Sequence, residues 1–105
     1  MAQFDVYINP SKNSRKTYPY IIDIQNALIS DIATRIVLPL GKLSHFRNEK
    51  MNGLTPAIEY ENEQYILLTP QISSMSSNLL KTPVGSVESL RDKIIAAIDF
   101  AITGI

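Results

Sequence analysis

No cysteine occurs in this sequence, so neither a disulfide framework nor a thiolate metal site can form. A chain of that kind suits a reducing cytoplasm. There is one histidine, which rules out a multi-histidine metal centre. No apolar run approaches the roughly 20 residues that span a bilayer. The first residues, "MAQFDVYINP", lack the basic segment and apolar stretch of a signal peptide. Charge of one sign is missing too: ten basic and ten acidic residues cancel. A protein that grips nucleic acid by its phosphates carries a basic excess, so direct DNA or RNA binding is not expected. The four glycines form no phosphate-cradling motif.

What is present fits one domain, residues 1–105. That length buries a core without staples, and an apolar fraction of 45% is ordinary for a globular protein. There are no repeats and no linker. "QFDVYI" sets Phe4, Val6 and Ile8 on one face and Asp5 and Tyr7 on the other, the period of a half-buried strand. "NPSKNSRKT" interrupts it with turn formers and keeps Lys12, Arg15 and Lys16 in water. "YPYIIDIQNAL" resumes with β-branched and aromatic residues, and Pro19 sits near its start, where a missing N–H is tolerated. "ATRIVLPL" reads as a third strand, apolar after Arg35 and buried on both faces, with Pro39 marking a bulge or the end of its pairing. "GKLSHFRNEKMNGL" is mixed and polar, a long loop with at most a helical turn. "PAIEY" and "QYILLT" are the arms of a hairpin that turns at Glu61-Asn62-Glu63. The segment 71–85 is ambiguous, with a strand expected near Asn78–Lys81.

The last segment changes period. Leu90, Ile94, Ile95, Ala97, Ile98, Ala101 and Ile102 share one stripe of an amphipathic helix, with Ser86 as its expected N-cap. Phe100 and Thr103 fall on the opposite face beside Asp92 and Asp99, so Phe100 is either covered by a loop or a contact surface. The apolar pattern runs to "TGI", Thr103 to Ile105, an end that is either docked or presented to a partner.

Catalytic material is sparse. His45 stands in a polar loop with no acidic residue at ligand spacing. Ser73, Ser74, Ser76 and Ser77 lack a nucleophile elbow, and Glu59, Glu61 and Glu63 read as a solvated edge. Thr34 and Arg35 open an apolar strand, either for edge pairing or for a buried ion pair with Asp23. No metal, cofactor or catalytic residue is expected. The charge is uneven, however: residues 1–58 hold seven Lys/Arg against four Asp/Glu, and 59–105 hold three against six.

"QFDVY", "YPYIIDIQ", "TRIVLPL", "YILLTPQISS" and the closing "GI" resemble, in order and over essentially the whole chain, the CcdB family of plasmid-addiction toxins that poison DNA gyrase. The resemblance implies a mainly β fold: an SH3-like β-barrel with a small accessory antiparallel sheet and one C-terminal α-helix, as a cytoplasmic homodimer. Its dimer contacts would lie around Thr69–Met75 and the helix end. The implied role is the toxin of a type II toxin–antitoxin module in plasmid maintenance. It would bind the A subunit of DNA gyrase and trap the cleaved-DNA complex, without catalysis of its own. A cognate antitoxin with an acidic, disordered C-terminal segment would neutralise it.

The implied gyrase-binding residues are Thr103, Gly104 and Ile105, with Ile102, Phe100, Asp99, Leu28 and Asn26 beside them. The basic loop of Lys12, Arg15 and Lys16 suits the antitoxin. Thr103 departs from the Trp of the best-known members, which leaves room for a gyrase-inactive homologue that binds only antitoxin. The alternative of another class is an endoribonuclease on the same barrel, for which Arg35, Thr34 and His45 are the material.

Overall fold

The computed structural model describes residues 2–26, 32–46 and 55–104. Among these residues seven strands form one antiparallel sheet: β1 (Asp5–Ile8), β2 (Tyr20–Asp23), β3 (Thr34–Lys42), β4 (Ala57–Tyr60), β5 (Glu63–Leu67), β6 (Ser73–Ser76) and β7 (Gly85–Ser86). They run in the order β4-β5-β3-β2-β1-β7, with β6 branching from β3. One helix, α1 (Arg91–Thr103), closes the chain's order of elements. The class read from the sequence, mainly β with one terminal helix, is therefore present as a curled half-barrel.

The long β3 organises the sheet. It pairs with β2 from Val37 to Leu40, and its other edge serves β6 over Thr34–Val37 and β5 over Leu40–Lys42. Pro39 sits where that edge changes partner. It neither bulges the strand nor ends it: its carbonyl accepts from the Leu68 N–H at 3.2 Å. Ladder bonds alternate sides along a strand, and the Ile36 carbonyl faces β2 through its bond from Ile24 N. The N–H that Pro39 lacks would therefore have pointed into the switch between β6 and β5.

The sheet has two unequal faces. On one, Val6, Ile22, Leu38 and Leu40 pack with Phe4, Ile58, Tyr65 and Leu67 against Ile94 and Ala97 of α1. On the other, Tyr7, Ile21, Val37 and Leu80 form a smaller cluster. The curl brings the two ends of the strand order together, because Tyr60 of β4 lies over Gly85 of β7. A β-carbon at Gly85 would collide with the Tyr60 hydroxyl, which explains glycine there.

Three expectations change in detail. Only Glu61 and Asn62, at φ 51° and 64°, make the hairpin turn, a pair of left-handed residues matched to strand twist; Glu63 already belongs to β5. The strand expected near Asn78–Lys81 lies earlier, at Ser73–Ser76, and Ser77–Leu79 is a 3-10 turn. Ser76 accepts from the Asn78 N–H at 3.4 Å, a local bond that competes with the ladder. Ser86 accepts from the Glu88 N–H at 3.2 Å. That bond serves the start of the 3-10 turn Glu88–Leu90, whose N-cap is Val87, and Ser86 does not cap α1, whose N-cap is Leu90.

Candidate functional site

The last turn of α1 carries most of the residues singled out at the C-terminus. Ile94 and Ala97 are buried in the core, and Ile95 and Ile98 pack partly against it. Beyond them the helix outruns the sheet. Ile102, placed by its period on the buried stripe, is 71% exposed, and Phe100 is 40% exposed. The end is closed by its own backbone: Gly104 adopts φ 75°, and its N–H donates to the Phe100 carbonyl at 2.9 Å. Nothing crowds a β-carbon at Gly104, so the left-handed cap and not space selects glycine. Thr103 Oγ1 donates to the Asp99 carbonyl at 2.6 Å. That bond uses the hydroxyl's proton. Asp99, Phe100, Ile102, Thr103 and Gly104 thus form one exposed, largely apolar end. Ile105 lies outside the described residues.

Asn26 is exposed just past β2, and Leu28 lies outside the described residues. The approach to Asn26 is fixed by a fully buried polar cluster. Arg35 and Asp23 are both fully buried. Arg35 donates through Nε to Asp23 Oδ2 at 2.8 Å and through Nη2 to Oδ1 at 3.0 Å, the two-pronged geometry that best repays desolvation. Nη2 also reaches the Gln25 carbonyl at 3.3 Å. Gln25 Oε1 in turn accepts from the Ile36 N–H at 3.0 Å. Of the two roles the sequence left open for Arg35, the ion pair is present. It withdraws the guanidinium from any phosphate, while Thr34 and His45 are exposed. Arg35, the phosphate-holding member of the nuclease alternative, is thus engaged elsewhere.

The basic loop between β1 and β2 is also a built structure. Its hub, Asn9, is buried at 3% exposure. The Asn9 amide donates to Ser14 Oγ at 3.0 Å and to the Tyr18 carbonyl at 2.8 Å, while its Oδ1 accepts from the Ser11 N–H at 2.9 Å. Arg15 Nε donates to the Asn9 carbonyl at 2.8 Å, and Tyr18 stacks on Phe46 at 5.6 Å. Lys12 and Lys16 are exposed and Arg15 is half-buried. Among the described residues none of the three has a carboxylate within ion-pair distance.

Sequence reasoning missed Asn9. An Asn-Pro directly after a strand signals a turn, but not which amide will organise it. It also missed a cleft of about 330 Å³ at the root of the loop, lined by Ile8, Tyr20, Tyr60, Glu61 and Val84. The Tyr20 ring meets Tyr60 edge-on at 5.2 Å and Tyr65 at 5.6 Å. Burial raises the Tyr60 hydroxyl above its ordinary pKa, with the Glu61 charge adding to the shift. Tyr65 is raised further, by burial and then by the hydrogen bond it donates to Glu63 Oε2 at 2.8 Å. No His, Asp and Glu among the described residues cluster in a way that would hold a metal ion.

Among known proteins, a family model described as CcdB protein matches residues 3–104. No curated protein matches the chain.

Proposed function

The chain belongs to the CcdB family, and on that premise we propose that it is the toxin of a type II toxin–antitoxin module. It binds the A subunit of DNA gyrase through the end of α1 and holds the enzyme on DNA that gyrase has cut. The toxin needs no catalytic group, because the strand break is gyrase's own chemistry. The observation that carries this reading is the exposed turn of Asp99, Phe100, Ile102, Thr103 and Gly104, an apolar surface that the sheet leaves uncovered. Ile105, Asn26 and Leu28 belong to the same proposed contact.

Thr103 offers gyrase only a methyl and a hydroxyl, whose proton is already bonded to the Asp99 carbonyl, where the best-known members offer Trp. Binding therefore leans on Phe100 and Ile102, an aromatic and an aliphatic anchor of the kind that dominates interfaces. The same observation favours a second reading, a homologue that retains antitoxin binding and no longer poisons gyrase.

The antitoxin's acidic segment meets Lys12, Arg15 and Lys16, whose charges are unspent within the described chain. The toxin acts as a cytoplasmic homodimer, a state that light scattering tests. Calorimetry of the full chain with the breakage–reunion portion of the gyrase A subunit tests the gyrase reading. Binding that falls about tenfold in Phe100→Ala is expected. A folded chain that binds antitoxin but gives no heat with gyrase would favour the second reading.

A further inference from the structure

We infer that the cleft at the mouth of the half-barrel seats one uncharged, apolar side chain of the antitoxin's acidic segment, while that segment's carboxylates meet the basic loop. The inference rests on the toxin–antitoxin reading and adds the place and chemistry of the anchor.

The cleft and the loop are one surface. Ile8 ends β1, Tyr20 begins β2, and the two are paired across the sheet, so the loop of residues 9–19 springs from the cleft's own walls. The cleft's volume, about 330 Å³, lies at the low end of ligand pockets. That room suits a side chain better than a cofactor. Two of its walls are apolar and wet: Ile8 is 51% exposed and Val84 46%. Ile8 is held by its pairing with Tyr20, and the Val84 N–H donates to the Val6 carbonyl at 2.7 Å. The floor is aromatic and fixed. Tyr60 is pinned between the Tyr20 ring and Gly85, and its hydroxyl has no hydrogen-bond partner among the described residues. Its raised pKa keeps the proton on at neutral pH, so the hydroxyl is a spare donor for a peptide carbonyl crossing the cleft.

Charge decides the occupant. Three cations line the loop, and Glu61 stands on the cleft's rim. A carboxylate is therefore attracted to the loop and repelled from the cleft. A small anion would settle on the loop and leave the apolar walls wet. A peptide that places acidic residues beside a neutral aliphatic or aromatic one satisfies both halves.

The test uses the full-length toxin and the antitoxin encoded beside its gene, with affinity measured by calorimetry at low and at high salt. Val84→Ser and the double variant Ile8→Ser/Val84→Ser remove exposed apolar area and no charge. Each is expected to weaken binding, the double by about tenfold, by the same factor at both salt concentrations and with the melting temperature and gyrase binding retained. Glu61→Gln is expected to tighten binding. Wild-type affinity in both serine variants would overturn the inference while leaving the antitoxin reading standing. Absence of any binding by the wild-type toxin would overturn both.

Discussion

The basic loop at the barrel mouth and the last turn of α1 are built by opposite means. The loop is shaped by side chains: one buried amide, Asn9, ties Ser11, Ser14 and Tyr18 together. The helix end is shaped by bonds to its own backbone, through the Gly104 N–H and the Thr103 hydroxyl. The loop carries Lys12, Arg15 and Lys16, whereas Asp99 is the one charge in the helix's last turn. Charges recognise a partner only when their spacing is held, so the loop needs a framework. An apolar prong needs only to be rigid and uncovered. The two surfaces thus suit two partners of different chemistry, and a toxin that must be both effective and reversible requires two.

The comparison breaks most completely at the Asp23–Arg35 pair, which ties β2 to β3 within the sheet from which the loop springs and against which α1 packs. Asp23→Asn leaves the buried Arg35 guanidinium without its counter-charge, and is expected to cost about 3–5 kcal/mol of stability. Urea unfolding reads this directly, and binding to antitoxin and to gyrase should fall together. A loss confined to one of them would contradict the shared framework.

A smaller change separates the surfaces. Replacing Lys12, Arg15 and Lys16 with alanine is expected to lower antitoxin affinity about tenfold or more at low salt and to flatten its salt dependence. Gyrase binding should hold. Unchanged antitoxin affinity at low salt would assign the antitoxin to another face.

The smallest effect concerns Tyr65, which meets the Tyr20 ring behind the cleft. The folded state raises the Tyr65 pKa above the ordinary value of 10.0, first by burial and then through Glu63. A group whose pKa is raised by folding gives its full stabilisation below its unfolded pKa and loses it as pH rises beyond that value. Stability should therefore be flat up to about pH 10 and decline above it, with Tyr7 and Tyr60 contributing in the same sense. Tyr65→Phe should make that decline shallower in thermal melts taken across the alkaline range. An equally steep decline would remove Tyr65 from the account.

Much of this was legible in the chain. Period-two patterning located β1, β-branched and aromatic content β2, an apolar run β3, and two strand-like arms about a turn the β4–β5 hairpin. The ion pair was legible as one of two roles for an arginine that opens an apolar strand, and the structure selects it over edge pairing. The loop's charges could be read, but its architecture could not. Asn9 acts through atoms up to nine residues away, and amide partners depend on how the turn closes. The cleft was invisible for a stronger reason: Ile8, Tyr20, Tyr60 and Val84 come from four separate segments that only the curl unites. The helix stripe was read correctly but taken too far in both directions. It begins at Arg91 because the preceding turn is 3-10, and its apolar face outlasts the sheet at Ile102. That excess of apolar helix is the feature the functional proposal rests on.

The most direct measurement of the central claim is a gyrase cleavage assay with plasmid, ATP and the full chain, with detergent and protease added to reveal trapped breaks. A chain lacking Thr103–Ile105 serves as the comparison. The account predicts linear DNA with the full chain and none with the truncated one. No linear DNA from a folded full-length toxin, or equal amounts from both, would contradict it.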